Sequence, residues 1–191
     1  IKEAIKKGSE IIITDKFKKN GWKNNVLFLN YKNPRNLLAK FSSKIFKKKP
    51  NNLIGVTGTN GKSSIANFYF QILTLNRIKA ASIGTLGVNG LKVQKNFSNT
   101  TFDTIQINKI LKKLKERRIE NVILEASSHG LNQNRLDGLE FDIGIFTNFT
   151  RDHLDYHKTY RNYLNSKLIL FKKLLKKKSY AIYDNDLKIS L

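Results

Sequence analysis

From residue 53 onward, short apolar runs alternate with longer stretches whose apolar residues recur at helical spacing. The runs at 53–57, 80–84, 121–126, 142–147 and 179–183 read as strands. Between them, Ile65, Phe68, Tyr69, Ile72 and Leu73 mark one face of a helix predicted over 62–76. Ile107, Ile110, Leu111 and Leu114 do the same for 104–118. Tyr160, Tyr163, Leu164, Leu168, Phe171, Leu174 and Leu175 form the stripe of a third helix over 159–176. Strands interleaved with helices predict βαβ units, hence an α/β fold with a mostly parallel sheet flanked by helices on both faces. In such sheets ligands collect beyond the C-terminal strand ends.

The first part of the chain has a different texture. Ile11-Ile12-Ile13 and Val26-Leu27-Phe28-Leu29 are strand-like, and Pro34 opens a helical stretch through Leu37, Leu38, Phe41 and Ile45. The polar run Lys47-Lys48-Lys49-Pro50-Asn51-Asn52 reads as a linker. Two pieces are therefore expected, 1–49 and 50–191. No internal repeat is visible, and lysine richness is the only compositional bias along the chain.

Composition narrows the classes. The 191 residues suffice for one ordinary domain, or one domain and part of another. No apolar run is long enough to span a bilayer, no signal segment opens the chain, and the start at Ile1 suggests that the true N-terminus is missing. The absence of cysteine excludes disulfides and thiolate metal sites and fits a reducing cytoplasm. The formal charge of +22 resembles a nucleic-acid footprint, yet the lysines are scattered and no arginine-and-aromatic stacking motif accompanies them. No nucleic-acid partner is expected. The acids are unevenly placed: none lies between Lys16 and Phe102, whereas Glu125, Asp137, Glu140, Asp142, Asp152 and Asp155 share one stretch with His129, His153 and His157. That concentration points to a metal-phosphate site, with solvated surface as the plainer alternative.

Three segments carry chemistry, each at the end of a predicted strand. Gly58-Thr59-Asn60-Gly61-Lys62-Ser63-Ser64 joins the strand at 53–57 to a helix. Glycines there let backbone N–H groups close on phosphate oxygens, the helix start adds positive potential, Lys62 reaches the terminal phosphates and Ser63 offers a hydroxyl to Mg²⁺. The glycine spacing departs from the generic phosphate loop, and a plain turn is the bland reading. Glu125 ends the strand at 121–126, where a carboxylate beside such a loop organises Mg²⁺; a solvated strand-end acid is the alternative. The run from Thr147 to His157 holds a dense Asp-His-x-Asp-x-His cluster. Lys167 falls in the middle of an apolar helix stripe. On pattern alone it reads as a lysine snorkelling to water, against a buried, neutral amine able to take up CO₂ as a carbamate.

Taken together, Gly-Val-Thr-Gly-Thr-Asn-Gly-Lys-Ser-Ser (55–64), Gly-Thr-Leu-Gly (84–87), Asn-Thr-Thr (99–101), Glu-Ala-Ser-Ser-His-Gly-Leu (125–131) and Thr-Asn-Phe-Thr-Arg-Asp-His-Leu-Asp-Tyr-His (147–157) resemble the Mur ligase family. The branch most similar adds the third residue of the peptidoglycan stem peptide. The resemblance implies ATP-dependent amide formation through an acyl-phosphate, joining a diamino acid such as meso-diaminopimelate or L-lysine to UDP-N-acetylmuramoyl-L-alanyl-D-glutamate. It further implies that Gly58, Thr59, Asn60, Gly61, Lys62, Ser63 and Ser64 bind ATP, and that Ser63, Glu125, His153 and a carbamylated Lys167 hold two Mg²⁺. Asn99, Thr100, Thr101, Ser127, Gln133 and Arg135 match positions that hold the UDP-muramoyl-dipeptide. Lys62, Glu125, His153 and Lys167 would be the catalytic set, in a cytoplasmic monomer without a membrane partner. Residues 1–49 would be the tail of a UDP-binding domain and 50–191 a truncated ATP-binding central domain. The C-terminal domain would be absent, and the isolated piece inactive. A family departure is Phe102, where proline is common, which predicts a less rigid loop. A sister ligase of folylpolyglutamate or cyanophycin type, and a non-catalytic scaffold, remain the rival readings.

Overall fold

A computed structural model describes residues 1–91 and 100–186. The chain divides into two compact units, Ile1–Leu38 and Ala39–Leu191. The first holds helix α1 (Lys2–Lys6) and a three-stranded sheet of β1 (Ile11–Thr14), β2 (Gly21–Lys23) and β3 (Val26–Asn30) in the order β1-β3-β2. β3 pairs parallel with β1 and antiparallel with β2. Alternation puts Ile12, Val26 and Phe28 into a small core on one face.

Helix α2 (Pro34–Ile45) carries the division between units, ahead of the linker expected at 47–52. The physical reason lies in its last turns. Ala39 and Ser42 are buried there, Ser42 Oγ donates to the Thr104 carbonyl (3.3 Å) and Ser43 Oγ to the Gly138 carbonyl (2.5 Å). Lys49, in the supposed linker, donates to the Ser43 carbonyl (3.2 Å), and burial lowers its pKa.

The second unit is built on β4 (Asn52–Thr57), α3 (Lys62–Leu75), β5 (Ala80–Gly84), β6 (Gly87–Asn89), α4 (Thr104–Glu116), β7 (Asn121–Glu125), α5 (Ser128–Asn132), β8 (Phe141–Phe146), α6 (Leu154–His157), α7 (Tyr160–Ile169), a π-helical turn (Leu170–Leu174) and β9 (Leu175–Tyr183). The sheet order is β6-β5-β7-β4-β8-β9, parallel except for the β5–β6 hairpin. Every described pairing of the central β4 is parallel, and its residues from Leu53 to Thr57 are buried, as a strand covered on both faces requires. Leu53, Val122 and Leu124 face one layer with α4 and the π turn. Ile54, Val56 and Ile123 face the other, where Ala66, Ile65 and Tyr69 of α3 pack. Because β4 lies between β7 and β8, the chain leaves it in opposite directions, and a crevice opens at the C-terminal ends of these strands.

The helix expected over 159–176 is a correction. α7 ends at Ile169, the chain turns through the π segment, and the strand expected at 179–183 already begins at Leu175. Glycines explain the widened turn. A Cβ on Gly55 would meet Leu170 and one on Gly144 would meet Phe171, so the bare strand backbones receive these side chains directly. Lysines 176–178, helix-like by propensity, belong to the edge strand, where Lys176 pairs with Asp142 (2.5 Å). Phe102 is buried at 1 % exposure, which anchors its loop through packing where a proline ring would have stiffened it.

Candidate active site

The loop after β4 is shaped by two glycines in the left-handed half of φ space, Gly58 (φ 144°) and Gly61 (φ 82°). At Gly58 a side chain would also collide with Thr147. The loop is clamped from β8's extension: Thr59 N–H donates to the Asn148 carbonyl (3.0 Å), Asn60 N–H to the Asn148 side chain (2.9 Å), and Thr147 Oγ1 to the Asn60 carbonyl (2.6 Å). Thr59 Oγ1 accepts from Thr150 N–H (3.0 Å) and from the Tyr163 hydroxyl (3.2 Å). Asp103, Ser127 and Thr159 cap α4, α5 and α7 with their side chains, whereas α3 starts at Gly61 with no side-chain cap. Its first N–H groups and its positive dipole end therefore face the loop without a side-chain cap.

Lys62 folds back over this loop, donating to the carbonyls of Gly58 (2.9 Å) and Thr59 (2.7 Å). Ser63 Oγ donates to Glu125 Oε2 (2.9 Å), joining the loop to the end of β7. Glu125, 2 % exposed, also accepts from Thr85 N–H (3.0 Å) and Thr85 Oγ1 (3.1 Å). Gly84 makes room for it, since a Cβ there would overlap the carboxylate. Burial lowers the Lys62 pKa, and the nearby Glu125 and Asp152 charges partly offset that.

Lys167 does not snorkel. It is 1 % exposed, its ammonium donates to the Gly58 carbonyl (2.6 Å), and it stands 4.3 Å from the Tyr163 ring centroid. Burial, then repulsion from Lys62, pushes its pKa down to about 7, against an opposing pull from Asp152.

A cavity of about 460 Å³ is lined by Lys62, Thr100, Thr101, Ser127, Ser128, His129, Gln133, Arg135, His153, Tyr156 and Lys167. Sequence reasoning selected Lys62, Thr100, Thr101, Ser127, Gln133, Arg135, His153 and Lys167 of that wall, and Ser63 and Glu125 adjoin it through their mutual hydrogen bond. Asn99 lies outside the described residues. Thr101 Oγ1 donates to the Glu125 carbonyl (2.8 Å) and accepts from Ser127 N–H (2.9 Å); Thr100 Oγ1 lies 3.1 Å from Thr85 Oγ1 and donates to it, because the single Thr85 hydroxyl proton goes to Glu125. Arg135 is held by Thr101 O (2.5 Å) and twice by Gln133 Oε1 (3.1 and 2.7 Å), all neutral acceptors. Its charge therefore faces the cavity without a carboxylate on those contacts.

His153 sits in left-handed backbone (φ 51°) at the start of α6, with its ring 4.9 Å from that of His129. His157 is buried between two serines, Ser128 Oγ at 3.0 Å from Nε2 and Ser166 Oγ at 3.2 Å from Nδ1. Ser166 spends its only proton on the Asn162 carbonyl (2.8 Å), so Nδ1 carries the imidazole proton and Nε2 accepts from Ser128. Burial, followed by electrostatic repulsion from the His129, His153 and Lys167 side chains and opposed by Asp155, lowers the His157 pKa to about 4. Burial, followed by His153, Arg135 and Lys167, also lowers His129.

Sequence reasoning missed Thr85, Asn148, Tyr163 and the two serines around His157. Thr85, Ser128 and Asn148 each follow a predicted strand, where ligands collect in such sheets, and lie within the segments 84–87, 125–131 and 147–157; Tyr163 and Ser166 carry no such signal. Among the described residues, no group of three or more His, Cys, Asp or Glu is arranged to hold a metal ion. No helix among the described residues is long and apolar enough to cross a membrane.

Comparison with known proteins bears on this geometry. A family model described as the Mur ligase middle domain matches residues 56–191. A protein of Rickettsia bellii (strain RML369-C) named UDP-N-acetylmuramoyl-L-alanyl-D-glutamate--2,6-diaminopimelate ligase is 42% identical over 98% of this chain and 40% of its own length. A solved structure of a ligase with the same name is 29% identical, with a TM-score of 0.78 over 97% of this chain and 37% of that one. The MurF ligase of Thermotoga maritima in complex with ADP shares the fold at 16% identity, with a TM-score of 0.57 over 97% of this chain and 39% of that one. The chain thus spans about two fifths of the length of the curated relative it matches.

Proposed function

Because this chain belongs to the Mur ligase family, we propose that it supplies the ATP-binding centre of an enzyme that joins diaminopimelate to UDP-N-acetylmuramoyl-L-alanyl-D-glutamate in peptidoglycan synthesis. The observation that carries the proposal is the convergence of Lys62, His153, Lys167 and Arg135 on one cavity, with Glu125 bonded to the phosphate-type loop through Ser63. The 42% identical relative supports this substrate over a folate or cyanophycin substrate. Residues 1–49 act as the end of the UDP-binding portion, and the cytoplasm, where ATP and UDP-linked precursors occur, is the place of action.

In the proposed reaction the substrate carboxylate takes the γ-phosphoryl group of ATP and ADP leaves. The incoming amine then displaces phosphate from the acyl-phosphate, forming the amide. The N-terminus of α3, free of side-chain caps, receives phosphate oxygens on its N–H groups, and Lys62 swings from the loop carbonyls onto the γ-phosphate. Arg135, pre-oriented by Gln133 and Thr101, pairs with an anionic group of the dipeptide substrate. Ser63, Glu125, His153 and Lys167 are suited to hold two Mg²⁺, whose contribution would be to neutralise charge on the transferring phosphoryl group.

Lys167 is prepared for its part by burial. An amine near pKa 7 is substantially neutral at physiological pH, so its nitrogen lone pair can bond to the carbon of CO₂ while its proton leaves to solvent. The resulting carbamate replaces a buried cation with an anionic oxygen ligand.

The test uses the full-length protein with ATP, Mg²⁺, UDP-N-acetylmuramoyl-L-alanyl-D-glutamate and diaminopimelate, read by product mass and ADP release. One ADP per amide product is expected. ATP hydrolysis without any amide, or product formed equally without ATP, would refute the proposal.

A further inference from the structure

The segment Asp152–His157 holds chemistry beyond the metal-type histidine. α6 is a short helix whose last residue, His157, is fixed on both ring nitrogens by buried serines from two other helices, Ser128 of α5 and Ser166 of α7. The Nδ1–H form satisfies both contacts at once, so the backbone of α6 is held in place from two sides. Tyr156 is therefore projected from a fixed frame. Its ring packs against His129 (centroids 4.2 Å apart) and its hydroxyl enters a directed chain of hydrogen bonds.

That chain has one consistent polarity. The Tyr156 hydroxyl donates to Asn132 Oδ1 (3.0 Å) and accepts from Gln133 Nε2 (3.2 Å). With its amide nitrogen so engaged, Gln133 turns its Oε1 to Arg135, accepting from Nε (3.1 Å) and Nη2 (2.7 Å). The Thr101 carbonyl takes Nη1 (2.5 Å). Without the Tyr156 hydroxyl the Gln133 amide is held from the Arg135 side alone, so the glutamine side chain gains freedom and the guanidinium that it braces loosens with it. Tyr156 stands three residues after His153 and lines the same cavity as Arg135.

We infer that Tyr156 is a positioning residue for the UDP-muramoyl-dipeptide, holding Arg135 in its anion-binding pose through the Gln133 amide and thereby joining the substrate side of the cavity to the segment that carries His153. This deepens the proposed function and rests on it. Tyr156 acts on substrate affinity through Arg135 and has no part in handling ATP.

The test is steady-state kinetics of the full-length protein, comparing wild type with Tyr156→Phe, which keeps the ring against His129 and removes only the hydroxyl. KM for UDP-N-acetylmuramoyl-L-alanyl-D-glutamate should rise about 3- to 10-fold, the effect of one lost hydrogen bond, with kcat and KM for ATP within about 2-fold of wild type. In an Arg135→Lys background, which cannot reproduce the forked contact, the same change should add less than about 2-fold. A Tyr156→Phe KM equal to wild type, or an equal KM increase with and without Arg135, overturns the inference while leaving the ligase reading intact. Failure of the wild-type protein to make product overturns the ligase reading itself. Should Tyr156→Phe not fold, Asn132→Ala, which removes the hydroxyl's acceptor, should raise the same KM about 2- to 5-fold; an unchanged value would equally overturn it.

Discussion

Lys62 and Lys167 donate to one and the same oxygen, the Gly58 carbonyl, at 2.9 and 2.6 Å. Two ammonium groups brought together on a neutral acceptor repel each other, and that repulsion is the second cause of the lowered Lys167 pKa. The arrangement costs stability in the absence of anions and makes the cavity attractive to them.

Lys167→Met should stabilise the ligand-free protein by roughly 1–3 kcal/mol near pH 7, because it removes a buried cation at similar volume. The sign with pH is set by a folded-state pKa of about 7 below the ordinary 10.5. Below pH 7 both folded and unfolded chains are protonated and the burial cost is fully expressed. Between pH 7 and 10.5 only the unfolded chain keeps the proton, so wild-type stability rises with pH relative to the variant. Urea unfolding at pH 6.5 and 9.5 measures this; a pH-independent difference would contradict it.

Lys167→Ala should lower turnover by a factor of about 100 or more, the scale of losing a group that stabilises transition-state charge. Acetate or formate, seated where the carbamate would be, should restore part of it. Full activity without rescue would show that the amine takes no part in the reaction.

Gly84→Ala should destabilise the protein by about 1–3 kcal/mol and depress turnover, because the new methyl group would displace the Glu125 carboxylate. Gly21→Ala is the control. Nothing lies within 4 Å of a Cβ there, and the change should stay within about 0.5 kcal/mol. Thermal melts of both variants decide it, and equal effects would contradict the assigned role of Gly84.

His157 gives an acid-side prediction. Its folded pKa of about 4 lies below the ordinary 6.5, so its contribution is complete above pH 6.5 and is lost as pH falls toward 4. The stability gap between wild type and His157→Gln should narrow by on the order of 1–3 kcal/mol over that interval. Chemical unfolding at pH 7 and pH 4.5 reads the gap; a constant gap would show that His157 charges as freely in the fold as in solution.

Long periodic segments make the parallel sheet legible in the sequence. The buried runs at 53–57 and 121–126 and the amphipathic stretch at 104–118 each became the expected element. β2, β6, α5 and α6 are too short to display a period. The π turn was hidden for a different reason: Leu170 and Phe171 fit a helical stripe, and only the glycines across the sheet explain why they leave it. At the site, residues whose chemistry is local to a strand end were visible. Lys167 was ambiguous because pattern places a side chain on a face without saying whether that face meets water. Ser128 on His157 and the Tyr163 hydroxyl on Thr59 are contacts across long sequence separations, which one-dimensional spacing does not encode.

The most direct measurement compares ADP release by the full-length protein and its Lys62→Ala variant, with all three substrates present and binding of the UDP-muramoyl-dipeptide followed separately. Loss of about 1,000-fold or more in ADP release, with dipeptide binding retained, is the expected result for the ammonium that meets the γ-phosphate. ADP release by Lys62→Ala at the wild-type rate would contradict the assignment of this loop as the ATP site.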